Sequence, residues 1–408
     1  MKILVLNSGS SSQKSCLYQI SDALPEHPPS PVWEAKIEWD GHAAEIQVKA
    51  PKDTAFHSQI KVDSRRQALK QLFRSLWEGD ARAVEKPSEI HVVGHRIVHG
   101  GRQFEEPVVI TAEVKRAIAS ASAFAPLHNR AELEGIEIME ELLGRVPQVA
   151  VFDTAFHHHL PLAAAVYAGP YEWLARWIRR YGFHGINHQY CAGRAAQLLG
   201  KPLASLKLIS CHLGNGCSLA AIDAGRSVDT TMGFTPLEGL MMGTRSGSID
   251  PGILTYLMRE EGIDGRRVDE ILNSESGLLG ISGVSSDMRK VLEAVRLGNE
   301  RAALAFDIFI HRLRSCIGSM AAALDGLDAL IFTAGIGENA AAVREAACAG
   351  FGHLGLRLDP NSNNQQLLVD QDIAARESSV RVLVIHAEED WAIARECWRM
   401  ESVKSSLE

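Results

Sequence analysis

Cysteine is sparse in this chain, and the cysteines that are present follow no binding pattern. There are seven among 408 residues, an odd number without a Cys-x-x-Cys pair. Neither a disulfide framework nor a zinc site is therefore indicated, and a reducing compartment is favoured. Long apolar runs are missing too, since nowhere do about eighteen apolar residues follow one another, and no cleavable leader pattern precedes the first apolar segment. We expect a soluble, cytoplasmic protein without a membrane partner.

An excess of basic charge is also absent. The formal net charge is -8 at pH 7, which argues against nucleic acid as the main partner, because a phosphate backbone is normally met by a basic face. With 46% hydrophobic and 23% charged residues, the composition is that of a globular protein. The length suffices for two domains, each with a sizeable core.

One strand, turn and strand pattern occurs twice. Residues 3–20 read ILVLNSGSSSQKSCLYQI and residues 208–222 read LISCHLGNGCSLAAI. In each copy an apolar strand runs into a tip of glycine, serine or asparagine. Such a tip has few Cβ atoms to block an anion from the backbone N–H groups, so it suits phosphate. Two copies one domain length apart predict a duplicated architecture that binds phosphate in the cleft between its halves.

Strand and helix patterns alternate along the chain. Helical spacing is found at residues 64–77, 113–123, 132–143, 302–324 and 391–400, and short apolar strands are predicted at 33–48, 89–93, 148–152, 329–332 and 380–385. The strand 148–152 stops at Asp153, which places this carboxylate at the edge of a sheet where α/β proteins bind ligands. The alternation in two similar halves predicts an α/β fold with mixed sheets.

Eight blocks of the chain together resemble the acetate kinase family, in that family's order. They are NSGSSSQK (7–14), GHRIVHGG (94–101), APLHN (125–129), VAVFDTAFH (149–157), YGFHG (181–185), HLGNG (212–216), MGFTPLEGLMMGTRSGSIDPG (232–252) and FTAGIGEN (332–339). The family belongs to a superfamily with sugar kinases, actin and the heat-shock chaperone ATPases. The resemblance implies a duplicated two-domain actin-like fold, mixed sheets flanked by helices, and an active site in the interdomain cleft. It places the N-terminal domain at 1–153 plus 390–408 and the C-terminal domain at 154–389.

The same resemblance implies an activity. We expect a homodimer that transfers the γ-phosphoryl group of Mg-ATP reversibly to acetate, giving acetyl phosphate and ADP by direct in-line attack of the carboxylate. A propionate or butyrate kinase with the same mechanism remains an alternative. A more distant alternative is a non-catalytic ATP-binding switch of the same superfamily.

The predicted catalytic residues follow from the charge of the transferred group. A phosphoryl group in transfer stays anionic on its equatorial oxygens, so positive charge and hydrogen-bond donors should surround it. By resemblance, Arg96 and Arg245 bind the acyl carboxylate and the phosphoryl group, while His184 lies nearest the transferred group and Asp153 completes the catalytic set. No histidine is needed as a base, because a carboxylate acceptor is already ionised at pH 7.

The predicted metal site uses few protein ligands. A magnesium ion held mainly by phosphate oxygens and water needs only one or two protein carboxylates, and Mn²⁺ can take its place. The resemblance assigns the metal to Asn7 and Glu389, with Asp153 also handling metal and acceptor. A one-residue shift of the alignment would select Glu388 instead. Asp390 is expected to stabilise the N-terminus of the last helix.

The resemblance assigns the remaining residues to three groups. The nucleotide group comprises Lys14, His212, Leu213, Gly214, Asn215, Gly216, Asp287, Met288, Arg289, Gly335, Ile336, Gly337 and Asn339. The phosphate-positioning group comprises Asn7, Ser10, Ser12 and His128, and the acyl pocket comprises Arg96, Val98, Leu127, Phe183 and Pro236.

Two points of specificity stay open at this stage. Many relatives carry an aromatic residue where this chain has Met288, so its preference for ATP over other nucleotides is undecided, although a methionine can pack on a purine face. One methylene group in an apolar pocket changes the binding free energy by only about 1 to 3 kcal/mol, so the preference between acetate and propionate is a matter of degree.

Overall fold

The chain folds into two compact units. The computed structural model describes residues 1–9, 12–40, 43–50, 54–61, 64–122 and 126–407. Unit 1 comprises Met1–Ala155 and Glu388–Glu408, and unit 2 comprises Phe156–Ala387. Within the described ranges, no helix is both long enough and apolar enough to cross a lipid bilayer.

Unit 1 is built on a mixed sheet that has eight strands within the described ranges. In chain order they are β1 (Lys2–Ser8), β2 (Ser12–Gln19), β3 (Trp33–Asp40), β4 (Ala43–Ala50), β5 (Thr54–Lys61), β6 (Val92–Ile97), β7 (Val108–Val109) and β8 (Gln148–Phe152). Four helices pack with them, α1 (Arg65–Arg74), α2 (Ala112–Ala121), α3 (Pro126–Leu143) and α15 (Glu389–Leu407). One core cluster of this unit includes the buried side chains of Leu4, Trp33 and Phe73.

Unit 2 holds a second mixed sheet, with six strands among the residues described. They are β9 (Lys207–Leu213), β10 (Cys217–Asp223), β11 (Arg226–Thr230), β12 (Ala329–Thr333), β13 (Gln371–Asp372) and β14 (Arg381–Val384). The helices are α4 (Leu162–Ala165), α5 (Glu172–Ala175), α6 (Gly185–Leu199), α7 (Pro251–Glu260), α8 (Gly265–Ser274), α9 (Gly277–Ser282), α10 (Met288–Arg296), α11 (Glu300–Leu324), α12 (Ala334–Asn339), α13 (Ala341–Cys348) and α14 (Pro360–Asn364).

The two sheets share one topology. The order β3-β2-β1-β6-β8-β7 in unit 1 corresponds strand for strand to β11-β10-β9-β12-β14-β13 in unit 2, and β4 and β5 extend the first sheet. In both sheets the three central strands are parallel and the outer strands antiparallel. Helix α15 packs on β1 and β6, as α6 packs on β9 and β12. The prediction of an α/β fold with duplicated mixed sheets is confirmed.

Several boundaries predicted from the sequence were wrong. The strand expected at 89–93 is β6 at Val92–Ile97, because Pro87–Glu89 forms a 3-10 turn. Helix α3 begins at Pro126 rather than at residue 132, since proline is tolerated in a first helical turn, where no N–H partner is needed. The glycine-rich TAGIGEN segment forms α12 after Thr333.

Candidate active site

In unit 1, an arginine and an aspartate meet at the carboxyl ends of two parallel strands. Arg96 lies near the end of β6, and Asp153 directly follows β8, where its N–H donates to the carbonyl of Ile97 at 2.9 Å. The Arg96 Nε donates to both oxygens of Asp153 at 3.1 Å, and Nη2 donates to Oδ2 at 2.6 Å. The strand ends thus hold a fixed, partly buried guanidinium group.

Asn7 links this arginine to two further acids. Its Oδ1 accepts from Arg96 Nη1 at 3.1 Å, and its Nδ2 donates to Glu389 Oε2 at 3.1 Å and to Asp390 Oδ1 at 3.2 Å. An amide that accepts from a cation and donates to carboxylates has only one orientation. The structure thereby brings together four residues predicted for the site, Asn7, Arg96, Asp153 and Glu389.

The closeness of these acids to β1 depends on a glycine. A Cβ atom at Gly94 on β6 would lie 2.6 Å from Cγ2 of Ile393 and 2.7 Å from Sγ of Cys397, both on α15. Only a residue without a side chain lets this helix approach the strand so closely. The first turn of α15, with Glu389, is thereby held over the end of the sheet.

Asp390 does more than the helix capping that the sequence suggested. Helix α15 starts at Glu389, two residues earlier than predicted, and the buried carboxylate of Asp390 pairs with Lys14 Nζ at 3.0 Å. Lys14 also pairs with Glu34 at 3.4 Å. Burial opposes the charge of Lys14, but the neighbouring carboxylates raise its pKa above the ordinary value. Lys14 is therefore a fixed cation beside Asn7.

A buried acid that the sequence analysis missed supports the predicted acyl pocket. The N–H of Val98 donates to both carboxylate oxygens of Glu132, at 3.1 and 3.2 Å. Burial raises the pKa of Glu132 to about 8, although the charge of Arg96 opposes the shift. Burial likewise disfavours the charge on Arg96, yet Asp153 and Glu389 outweigh it and raise the pKa of Arg96. Helical spacing along α3 could have identified Glu132 as buried.

For the other predicted residues of unit 1, the structure describes fewer side-chain contacts. Ser12 begins β2, and its carbonyl accepts from the N–H of Gly9 at 2.7 Å. Ser10 lies outside the described residues. Leu127 and His128 belong to the first turn of α3, and their side chains also lie outside the described part of the structure.

In unit 2, the tip of the β9–β10 hairpin is Gly214, Asn215 and Gly216, and Leu213 ends the first strand. The N–H of Gly214 donates to the carbonyl of Gly216 at 3.0 Å. The sequence analysis expected the tip N–H groups to face an anion. For Gly214 this was wrong, because its N–H closes the turn, as that of Gly9 does in the first hairpin.

Two predicted histidines stack beside this tip. His184 and His212 have ring centroids 4.0 Å apart and an interplanar angle of 11°. A Cβ atom at Gly216 would lie 3.4 Å from His184 Nε2 and 3.6 Å from Arg245 Nη1. His184 adopts a left-handed backbone conformation with φ 57°, which is uncommon for a residue other than glycine and clusters at functional sites.

Arg245 and the predicted acyl residues of unit 2 lie in neighbouring loops. Nη1 of Arg245 donates to the carbonyl of Pro236 at 3.2 Å. Phe183 is buried, and its carbonyl accepts from Nε2 of His157 at 3.2 Å. Among the residues that the structure describes, no group of three or more His, Cys, Asp or Glu side chains is arranged to hold a metal ion.

A cavity of about 740 Å³ opens next to the hairpin tip. Its lining includes eight residues predicted to bind nucleotide, namely Gly214, Asn215, Asp287, Met288, Arg289, Gly335, Ile336 and Asn339. Gly337 is buried within α12. The sequence analysis missed Leu292 and Arg296, which also line the cavity. They follow Met288 on α10 at intervals of four residues, so helical periodicity could have found them.

Unit 1 holds an arginine among acids, and unit 2 holds an arginine, a glycine hairpin and a cavity of ligand size; these are the groups expected of a phosphotransferase. Comparison with known proteins makes the assignment specific. The family model of the acetokinase family matches residues 2–395, and the chain belongs to this family.

Curated relatives and solved structures agree with this assignment. The chain is 58% identical to an acetate kinase of Cyanothece sp. over 99% of this chain and 100% of the relative. It is 60% identical to an acetate kinase of Nostoc sp. over 98% of this chain and 99% of the relative. The crystal structure of Porphyromonas gingivalis acetate kinase superposes with a TM-score of 0.89 at 38% identity, covering 98% of this chain and 99% of that structure. The crystal structure of a propionate kinase of Francisella tularensis superposes with a TM-score of 0.88 at 38% identity, covering 97% of this chain and 98% of that structure.

Proposed function

We propose that this protein catalyses reversible transfer of the γ-phosphoryl group of ATP to acetate, giving acetyl phosphate and ADP. One observation carries the proposal. The network of Asp153, Arg96, Asn7 and Glu389 is formed in a chain that matches acetate kinases of 58% and 60% identity over nearly its whole length. The propionate or butyrate alternative uses the same groups, and these curated relatives favour acetate.

The proposed reaction needs charge and position rather than a base. An acetate oxygen attacks the γ-phosphorus, the new O–P bond forms as the bond to the β-phosphate oxygen breaks, and ADP leaves with that electron pair. Acetate is already ionised at pH 7, so no proton has to be removed. Arg96 and Arg245 supply fixed positive charge to the carboxylate and the equatorial phosphoryl oxygens. His184 supplies a hydrogen-bond donor.

The acids of unit 1 suit a divalent cation. The network contains three carboxylates, of Asp153, Glu389 and Asp390, and two cations, of Arg96 and Lys14. This excess of negative charge, together with oxygen donors, fits Mg²⁺ or Mn²⁺. We propose that Glu389 and Asn7 hold the metal directly or through water. The metal would neutralise charge on the phosphate oxygens of the nucleotide.

The nucleotide is proposed to occupy the cavity of unit 2. Met288 is buried at the start of α10, and Asp287 caps that helix by accepting from the N–H of Arg289 at 2.9 Å. A buried methionine can pack against a purine face through its polarizable sulfur. The guanidinium group of Arg289 pairs with Asp287 at 2.6 Å, so Arg296 supplies the net positive charge of these three residues at the cavity wall.

We also propose a homodimer formed through unit 2. Helix α7 buries none of its side chains, and Ile253 and Tyr256 are 45% and 54% exposed three residues apart. Apolar side chains on one helix face commonly mark an interface. Light scattering should give a dimer for the wild type and a monomer for a variant with Ile253→Glu and Tyr256→Glu. A monomeric wild type would exclude the dimer, and a dimeric variant would exclude this face.

We also propose that the enzyme lies in the cytoplasm, because ATP, its proposed substrate, is present there.

Trapping with hydroxylamine tests the proposed activity. Purified protein with ATP, Mg²⁺ and acetate should give acetyl hydroxamate and one ADP for each hydroxamate, and EDTA should stop both. Release of ADP without hydroxamate would indicate a simple ATPase. Folded protein that binds ATP but yields neither product would favour the non-catalytic switch.

A further inference from the structure

A buried hydrogen-bonded chain lies behind His184. Its Nδ1 is 2.9 Å from Ser218 Oγ, and the same oxygen is 2.8 Å from Nε2 of His188. Nδ1 of His188 is in turn 2.9 Å from Ser210 Oγ. Ser210, Ser218 and His188 are all fully buried. None of these three belongs to the residues predicted from the sequence, and the proposed reaction does not touch them directly.

The hydrogen bonds of this chain depend on one another. Burial lowers the pKa of His188 well below its usual 6.5, and the nearby rings of His157 and His212 add to the effect. A neutral imidazole donates through one nitrogen and accepts through the other, and each serine hydroxyl has a single proton. If the donors run from Ser210 through His188 and Ser218, then His184 accepts at Nδ1 and carries its proton on Nε2. The opposite direction places that proton on Nδ1.

The stacked neighbour of His184 indicates which direction is used. Nδ2 of Asn187 lies 2.9 Å from Nδ1 of His212, and an amide nitrogen can only donate. A neutral His212 therefore carries its proton on Nε2. A Cβ atom at Gly214 would lie 3.7 Å from this Nε2, and one at Gly216 would lie 3.4 Å from Nε2 of His184. The two rings thus turn the same nitrogen towards the hairpin tip, and a buried partner engages the other.

We propose that Ser218 and His188 are positioning residues that hold His184 in the tautomer with its proton on Nε2. His184 and His212 then present two neutral N–H donors beside Arg245. An anionic phosphoryl group accepts from N–H donors, whereas a nitrogen lone pair in that position would repel it. In a neutral His184 ring, the tautomer decides which nitrogen offers an N–H. The inference rests on the proposed function, in which His184 faces the transferred phosphoryl group.

The tautomer can be measured without turnover. Full-length protein labelled with ¹⁵N at histidine gives ring nitrogen spectra, and a His184→Gln variant identifies the signals of His184. We expect a protonated Nε2 and an unprotonated Nδ1 in the wild type, and a mixture of the two tautomers in Ser218→Ala. A protonated Nδ1 in the wild type would overturn the inference, whether or not the protein makes acetyl phosphate.

Kinetics test whether the tautomer matters for the reaction. Ser218→Ala should lower kcat about 10- to 100-fold, less than the loss of a direct donor, and leave KM for ATP nearly unchanged. Ser218→Thr keeps the hydroxyl and should restore most of kcat. In a His184→Gln background, Ser218→Ala should cause little further loss. Fully additive losses would mean that Ser218 does not act through His184.

Two further variants separate positioning from general destabilisation. Ser227→Ala removes a hydroxyl 2.7 Å from the buried His157, and should keep kcat within about twofold. His188→Gln retains an amide that can donate to Ser218, so it should keep more activity than His188→Leu. Equal kcat for these two His188 variants, or a loss in Ser227→Ala matching that of Ser218→Ala, would contradict the proposed role.

Discussion

The two hairpins of this protein occupy the same place in the same topology, yet they carry different side chains. In each hairpin the second residue pair from the tip faces the site. This pair is Asn7 with Lys14 in unit 1 and His212 with Ser218 in unit 2. In unit 1 the pair contacts the carboxylate of Asp390, and in unit 2 it contacts the ring of His184.

The helices that pack on these hairpins differ in the same sense. The N-terminus of α15 supplies two acids over β1, while that of α6 is capped by His184 over β9. One topology therefore gives a half-site in unit 1 built on paired acids and cations, the charged half-site, and a half-site in unit 2 built on two stacked histidines beside Arg245. The comparison shows that duplication fixes where side chains lie, and that the residue types at matched positions decide what they bind.

Removing either arginine should give the largest effect. Arg96→Ala and Arg245→Ala should each lower kcat by several orders of magnitude, because each removes fixed positive charge from the phosphoryl or carboxylate oxygens. Nucleotide binding, measured by calorimetry, should be largely kept. Arg399→Ala and Arg267→Ala, which remove exposed arginines from units 1 and 2, serve as controls and should be near wild type. Unchanged turnover in Arg96→Ala or Arg245→Ala would refute the mechanism.

Two adjacent glutamates should differ sharply. Glu389 accepts from Asn7, whereas Glu388 lies one residue before α15. Glu389→Ala should abolish activity and Glu388→Ala should have a mild effect, measured as kcat over a range of Mg²⁺ concentrations. If the two losses are equal, the assignment of the metal-site acid is wrong.

Neutralising Asp390 should weaken only the charged half-site. Asp390→Asn keeps an oxygen for Asn7 but removes the charge that pairs with Lys14, so the Mg²⁺ needed for half-maximal rate should rise about tenfold. The effect should grow smaller at high ionic strength, because salt screens charges. Ser218→Ala changes no charge and should show no such salt dependence. The same salt response in both variants would remove the proposed distinction between the half-sites.

The last effect concerns the free energy of unfolding and its dependence on pH. Burial lowers the pKa of His95 in unit 1 and of His157 in unit 2 from 6.5 to about 4. Their unfolded forms bind more protons, so stability should fall as pH drops from 6.5 to 4. Glu132 acts in the opposite direction, since burial raises its pKa from 4.5 to about 8 and stability should fall as pH rises through this range.

Urea unfolding of Glu132→Gln between pH 5 and 8 isolates the contribution of Glu132 to the pH dependence of stability. Relative to wild type, the variant should gain stability as pH rises, by at most about 4 kcal/mol. The exposed Glu140→Gln on the same helix is the matched control. Parallel pH curves for wild type and Glu132→Gln would contradict the raised pKa.

Sequence predicted the elements better than their chemistry. The strand at Gln148–Phe152 and both hairpins came directly from apolar patterns and glycine tips, because these are local signals. Contacts distant in sequence were not predictable in the same way. The pairing of Lys14 with Asp390 joins residues far apart in the sequence. The series of hydrogen bonds behind His184 joins α6 to two strands. Such contacts depend on how elements pack, which a local pattern does not contain.

The most direct test of the account is the specificity of acyl phosphate formation by the wild-type protein. Initial rates with Mg-ATP and acetate, propionate or butyrate give kcat/KM for each acid. We expect the highest kcat/KM for acetate, with ADP and acyl phosphate formed in equal amounts. A maximum on a longer acid, or no acyl phosphate from folded protein that binds ATP, would contradict it.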